Sequence, residues 1–220
     1  MKDFFALLGP GELGVKICGI TNAGDAAMSI AAGATALGFN FFPGSKRYLE
    51  LEKERAWLET VPGTVLRVGV VVNPNRDEAE ELLRLPFLDA LQFHGDETYA
   101  EVDATRQKIG KPVIKAIRVR DEISLREADL FPDVPILLDA FAGAERGGTG
   151  HSFDWNLVAK MHFLGRTILS GGLKPENVDA ALRLTKVRYI DVASGVEEDP
   201  RKKNRRKVME LIAKTRQKRD

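Results

Sequence analysis

Short apolar runs rich in β-branched residues alternate along the chain with segments whose apolar positions recur at helical spacing, and the alternation repeats eight times from Val15 onward. The runs Val15–Cys18, Ala36–Phe41, Val65–Val72, Ala90–Phe93, Val113–Ile117, Ile136–Asp139, Thr167–Leu169 and Tyr189–Val192 predict strands. They are short and mostly apolar, as strands buried on both faces are. Between and after them, Ala26–Ala32, Leu51–Val61, Glu78–Leu85, Thr98–Ile109, Ser124–Leu130, Trp155–Met161, Pro175–Leu184 and Lys207–Thr215 predict helices. In the last, Val208, Leu211, Ile212 and Thr215 share one face. Eight strand–helix rounds predict an α/β fold of the closed (β/α)8 TIM-barrel type, a single domain over 15–220, because an open doubly wound sheet usually has only about five or six strands. Residues 1–14 precede the first round and read as an N-terminal extension.

Composition narrows the chemistry. With 220 residues, 44% hydrophobic and 30% charged, the chain can bury one full core and is an ordinary globular sequence. Lys+Arg of 33 against Asp+Glu of 32 leaves no basic field, so nucleic acid is not an expected partner and a small molecule is. No glycine fingerprint for a dinucleotide opens any round. One cysteine excludes an intrachain disulfide and a Cys-rich zinc site, and it fits a reducing, cytoplasmic setting. The stretch Phe4–Leu8 is too short for the apolar part of a signal peptide, and no segment approaches the length needed to span a membrane, so no membrane partner is expected. The charged runs Glu50–Arg55 and Asp77–Glu81 read as solvated helix faces, and Arg201–Lys207 as the solvated start of the last helix.

In a barrel of this kind the active site lies at the C-terminal ends of the strands. The first run, within VKICGIT (15–21), ends in Cys18; Gly19 then breaks it, and Thr21 and Asn22 offer capping oxygens. Taken alone, a lone cysteine is more often an inert core residue. The second run leads into Phe42–Tyr48, a Gly/Pro loop with the cations Lys46 and Arg47. The fourth gives Gln92-Phe93-His94-Gly95, and the sixth ends at Asp139, ahead of the glycine-rich segment 147–150. The seventh gives Ser170-Gly171-Gly172 and the eighth Ala193-Ser194-Gly195. Glycines after strands seven and eight suit a phosphate approached by backbone N–H groups, although Gly171-Gly172 could also make only a tight turn. Cys18 and Asp139 place a thiol and a carboxyl at the same end of one barrel, a pair able to act as base and acid. Asp139 follows Ile136-Leu137-Leu138, an edge of dry interior that should raise its pKa; a helix cap or structural anchor is the alternative. Arg47, fork-shaped and permanently charged, suits a substrate carboxylate, although the commoner fate of an arginine is the surface.

In order, the segments VKICGIT (15–21), GATALGFNFFPGSKRY (33–48), LRVGVVVN (66–73), LQFHGDE (91–97), PILLDA (135–140), GGTGHSFDW (147–155), ILSGGLKPENV (168–178) and DVASGVE (191–197) resemble those of the phosphoribosylanthranilate isomerase family of tryptophan biosynthesis. The resemblance covers nearly everything from Val15 onward. It implies an Amadori rearrangement of N-(5-phosphoribosyl)anthranilate to 1-(2-carboxyphenylamino)-1-deoxyribulose 5-phosphate, with no cofactor and no metal. It further implies Asp139 as the general acid that opens the ring, Cys18 as the base that takes the proton from C2, and Arg47 as the residue on the anthranilate carboxylate. Gly171, Gly172, Ser194 and Gly195 match its phosphate loops. The expected ligand is a small phosphosugar, and the expected assembly a monomer or homodimer.

The related isomerase of histidine synthesis, and barrels that serve both pathways, have an aspartate where Cys18 stands, so the cysteine argues against them. A silent phosphate-binding or assembly subunit is disfavoured by the joint presence of Cys18, Arg47 and Asp139. The family's eighth strand usually ends Asp-Val-Ser-Ser-Gly, but position 193 is alanine, and the following Pro-Gly-x-Lys-Asp reads Pro200-Arg201-Lys202-Lys203-Asn204. Because Arg201 takes a positive φ less easily than glycine, the last loop is expected to follow a different path. Lys16 shares strand parity with Cys18 and would lie one layer below it. At about 7 Å and an effective dielectric of ~20, attraction of about 2 kcal/mol would draw the thiol toward thiolate. The competing account is a lysine neutralised by a carboxylate elsewhere in the barrel.

Overall fold

Each apolar run forms a strand close to its expected bounds in the structure, a computed structural model that describes residues 13–140, 154–161 and 164–216. The strands are β1 (Gly14–Cys18), β2 (Ala36–Asn40), β3 (Leu66–Val71), β4 (Ala90–Phe93), β5 (Val113–Val119), β6 (Ile136–Ala140), β7 (Thr167–Leu169) and β8 (Tyr189–Val192). They close in chain order into one parallel barrel, β8 pairing back onto β1. The helices are α1 (Ala23–Ala32), α2 (Leu51–Leu58), α3 (Arg76–Arg84), α4 (Tyr99–Ile109), α5 (Glu122–Leu125), α6 (Asn156–Ala159), α7 (Val178–Thr185) and α8 (Arg205–Thr215). The architecture is the expected TIM barrel. Most of the proposed 1–14 extension, and the glycine-rich segment 147–150, lie outside the described residues.

Strand parity sorts the side chains into two cores. Val68, Ala90, Ile114, Ala116, Leu137, Ile168 and Tyr189 pack together as the apolar filling of the barrel. The alternate residues, such as Ile17, Phe39, Leu91, Ile136 and Ile190, join helix residues such as Leu83, Val102, Val178 and Leu211 in a larger core outside the sheet. Lys16, Cys18, Gln92, Asp139 and Asp191 share the inward parity of the filling and stand above it, toward the C-terminal ends of their strands. Burial of the apolar residues drives closure, at roughly 25 cal/mol per Å², and register sends the polar set to one end.

Local chemistry fixes the helix starts. Asn22 caps α1 by accepting from Asp25 N at 2.8 Å, and Thr98 and Glu101 form a capping box on α4. Helical segments shorter than expected include the sixth, which keeps only Asn156–Ala159 of Trp155–Met161. The second stops at Leu58 rather than Val61, ahead of Pro62. The fifth is a four-residue α-turn that tightens into a 3-10 helix at Arg126–Leu130, with Phe131 held out of helical geometry before Pro132.

The larger correction concerns Arg201–Lys207. It is not simply the solvated start of the last helix: Glu197–Asp199 (β9) and Lys202–Lys203 (β10) pair as a small antiparallel hairpin, and Lys203 is buried. Arg201 is not among the described residues with positive φ, which besides glycines are Asn73 and Lys186. Its carbonyl instead accepts from the Thr21 hydroxyl at 2.7 Å, and its guanidinium reaches the Tyr48 carbonyl at 2.9 Å.

Candidate active site

Cys18 is the last residue of β1 and is buried. Its partner in the ladder is Gly38, where a Cβ would stand 2.6 Å from the sulfur and 2.9 Å from Lys16 Nζ. Glycine there is what lets thiol and ammonium lie side by side. The parity argument for Lys16 holds: it points inward and is 3% exposed. The account of it that the structure shows is the neutralised one, since Lys16 Nζ meets Asp191 Oδ1 of β8 at 2.8 Å. Burial pushes the Cys18 thiol up from its ordinary pKa and the Asp191 charge adds to this, while Lys16 and, less strongly, Lys203 pull the other way without prevailing. Burial alone would lower Lys16, but Asp191 and the Cys18 sulfur outweigh it and hold the ammonium above the usual lysine value. The sulfur therefore rests as a thiol among charges of both signs.

Asp139, the penultimate residue of β6, is 4% exposed. One carboxylate oxygen accepts from the Ala140 amide at 2.9 Å, and the other lies 3.3 Å from His94 Nε2. The Gln92 amide nitrogen is 2.9 Å from His94 Nδ1. A neutral ring that accepts there carries its proton on Nε2, toward Asp139. Gln92 and His94 were visible in the sequence only as a strand end; their shared inward parity, two residues apart, was the available signal.

Arg47 is not on the surface. It is 5% exposed, its stem fills the space over Gly19, and Glu197 takes one edge of its guanidinium with Nε–Oε1 at 2.7 Å and Nη2–Oε2 at 2.5 Å. Lys203 reaches the same carboxylate, with Nζ 2.6 Å from Oε1. Neither Glu197 nor Lys203 was singled out from the sequence as functional. The structure thus gathers Arg47 beside the Cys18 turn, and places Asp139 at the same end of the barrel on β6.

The two glycine loops also lie at this end. Gly171 and Gly172 have φ of +81° and +66°, a left-handed path that a side chain would strain, and a Cβ on Gly171 would press on the Ala140 amide. Asn177 holds this turn by donating to the Gly172 carbonyl at 2.9 Å and accepting from Lys174 N at 2.8 Å. Ser194 and Gly195 open a short 3-10 turn after β8, packed against the Leu173 carbonyl of the neighbouring loop. Ser170 Oγ, 3.3 Å from Asp191 Oδ2, connects the seventh strand end to the Lys16 pair. Among the described residues there is no cluster of His, Cys, Asp and Glu suited to a metal ion, and no helix is long and apolar enough to cross a membrane.

A closed parallel eight-stranded barrel with a thiol, a carboxyl and an arginine buried at the C-terminal end of its strands is a TIM barrel whose polar groups gather at the face where enzymes of that class carry their sites. Residues 15–214 match the family model described as N-(5'-phosphoribosyl)anthranilate (PRA) isomerase, and the chain belongs to that family. It is an enzyme of tryptophan biosynthesis with PRA isomerase activity. It is 42% identical over 200 residues to the N-(5'-phosphoribosyl)anthranilate isomerase of Rubrobacter xylanophilus, a match covering 90% of this chain and 97% of the relative. The Thermotoga maritima phosphoribosyl anthranilate isomerase crystal structure superposes with a TM-score of 0.84 at 38% identity, covering 92% of this chain and 98% of that one. A further isomerase structure, in complex with reduced 1-(o-carboxyphenylamino)-1-deoxyribulose 5-phosphate, superposes with a TM-score of 0.81 at 36% identity, covering 92% and 98%.

Proposed function

We propose that Asp139 and Cys18 are the acid and base of the isomerisation, that Arg47 receives the anthranilate carboxylate, and that the Gly171-Gly172 and Ser194-Gly195 backbones receive the phosphate. Protonated Asp139 gives its proton to the furanose ring oxygen; the C1–O bond breaks and a Schiff base forms at C1. Cys18, as thiolate, removes the proton from C2 to leave the enolamine, which tautomerises to the ketone. The overall change is an isomerisation, so no co-reactant is consumed. His94 orients the Asp139 carboxyl, and Glu197 fixes the orientation of the Arg47 guanidinium. Two glycine loops on neighbouring strands fit a phosphate dianion, for which backbone N–H groups need close approach.

The observation that carries this reading is the placement of Cys18, Arg47 and Asp139 together at the strand-end face, each buried and each held by named partners. Loss of substrate fluorescence on mixing with freshly prepared N-(5-phosphoribosyl)anthranilate tests it. Wild-type turnover that falls by about 100-fold or more in Cys18→Ala and in Asp139→Asn is expected; variants that retain wild-type rates would refute the assigned roles. The ligand class is a phosphosugar, as in the solved complex of the relative. We place the enzyme in the cytoplasm, in keeping with its single reduced cysteine, as a monomer or homodimer; the Thermotoga maritima relative is dimeric and has been obtained as monomers. Light scattering on the purified protein reads the assembly directly.

A further inference from the structure

Gln92 is fully buried on β4, and its partners in the ladder are Val70 of β3 and Ile114 of β5, whose side chains have no polar atom to offer its amide. Two residues on, at the same parity, stands the ring of His94, whose backbone is pinned by its N–H, which donates to the Val71 carbonyl at 2.8 Å. The Gln92 amide nitrogen, 2.9 Å from Nδ1 of that ring, has only hydrogens to give, so Nδ1 accepts. The proton of the neutral ring is then on Nε2, the nitrogen 3.3 Å from Asp139 Oδ2. The arrangement leaves Gln92 Oε1 without a hydrogen-bond partner among the described residues. An unpaired carbonyl oxygen is better tolerated in an interior than an unpaired N–H, which favours this orientation of the amide over the reverse.

We infer that Gln92 is a positioning residue for the isomerisation: it holds the His94 ring in the one orientation and tautomer whose Nε2–H stabilises the carboxylate formed when Asp139 gives up its proton. The inference rests on the role proposed for Asp139 as the acid. As that proton leaves, negative charge develops on a buried carboxyl. The Ala140 N–H meets one of its oxygens at 2.9 Å. His94 faces the other, and of the two neutral tautomers only Nε2–H presents a donor there, whereas Nδ1–H would turn a lone pair toward the new charge. An interaction that strengthens as charge develops lowers the barrier rather than tightening the binding of substrate. The 3.3 Å separation fits that role, since catalytic hydrogen bonds are often long before substrate arrives.

The test reads the ring directly, by long-range proton–nitrogen NMR on the full-length chain at a pH where the ring is neutral. The chain has three histidines, and His94 is assigned by the signals lost in His94→Gln. Wild type should show a proton on Nε2 and none on Nδ1. Gln92→Met keeps the length of the side chain and removes the donor, so the Nδ1–H tautomer should appear. In the same variant kcat should fall by about tenfold, the effect of one hydrogen bond to a charged group, with KM within about threefold of wild type. His94→Gln replaces the ring with an amide that has no tautomer, so adding Gln92→Met to it should change kcat by less than about twofold. A wild-type ring protonated on Nδ1, an unchanged tautomer in Gln92→Met, or a loss of kcat as large in the His94→Gln background as in wild type overturns the inference. Should Gln92→Met fail to fold, coupling across the hydrogen bond between Gln92 Nε2 and His94 Nδ1 in wild type decides: its presence supports the inference and its absence overturns it. Wild-type kcat in Asp139→Asn would instead overturn the acid role on which the inference rests.

Discussion

Two buried lysine–glutamate contacts near the C-terminal ends of the strands have opposite designs. Lys115 of β5 lies on the outer side of the sheet, with Nζ 2.8 Å from Glu97 and 2.8 Å from the Gly95 carbonyl, and near the ring of Phe131. Glu97 in turn accepts from the Asn73 and Gly95 amides. That is one cation, one anion and backbone groups, a neutral clip joining the loops after β3 and β4. The Lys203–Glu197–Arg47 trio is built from similar parts but includes a second cation and opens on the turn after Cys18. A buried pair that closes on itself can only hold structure together, whereas this trio also ties the backbone of Cys18 to the Arg47 loop.

The contrast is broken most severely from the catalytic side. Cys18→Ala and Asp139→Asn should each lower kcat by about 10²–10⁴-fold, the usual contribution of a positioned acid or base, with melting temperatures close to wild type; steady-state assays and thermal melts on the same samples check both halves. On the other side, Glu97→Gln strands the buried Lys115 charge. It should cost about 3–5 kcal/mol of stability in urea unfolding, while kcat of the folded enzyme stays within about threefold. A collapse of kcat without loss of stability would show that the clip belongs to the catalytic apparatus.

A subtler separation uses pH. In the proposed mechanism the Cys18 thiolate is the active form, and burial raises its pKa, so kcat/KM should climb as pH rises through that elevated value. Asp191→Asn removes a charge that raises the thiol pKa, and the rising limb should move to lower pH; Lys16→Met removes a charge that lowers it, and the limb should move to higher pH. Alkylation of the enzyme's single cysteine as a function of pH reads the same group independently. The smallest effect expected is at a helix start remote from the mouth: Thr98→Ala opens the α4 capping box and should cost about 1 kcal/mol in stability with no change in rate.

The barrel was legible in the sequence because buried parallel strands are continuous apolar runs, and several of them, such as Ala90–Phe93 and Tyr189–Val192, have their expected bounds. Cys18 and Asp139 were legible as polar residues ending such runs. The charge network was not. The carboxylate that neutralises Lys16 is 175 residues away on β8, and Glu197 is 150 residues from Arg47, so register across the closed barrel, rather than local spacing, decides both pairs. Lys203 was hidden by company: within a run of cations, period and polarity say solvent, and only the hairpin turns this one inward. Arg47 likewise sits in an exposed-looking Gly/Pro loop whose return across Gly19 depends on the tertiary fold.

The Lys203–Cys18 contact also dates the enzyme's competence within its own synthesis. The thiol leaves the ribosome with β1, and the barrel has all eight strands once Val192 has emerged. The ammonium that anchors the carbonyl of that thiol comes eleven residues later. A nascent chain halted between those two points has all eight strands yet lacks the anchor of the proposed base, and the core residues Val208, Leu211 and Ile212 of α8 come later still, so strands, anchor and core are completed at different codons.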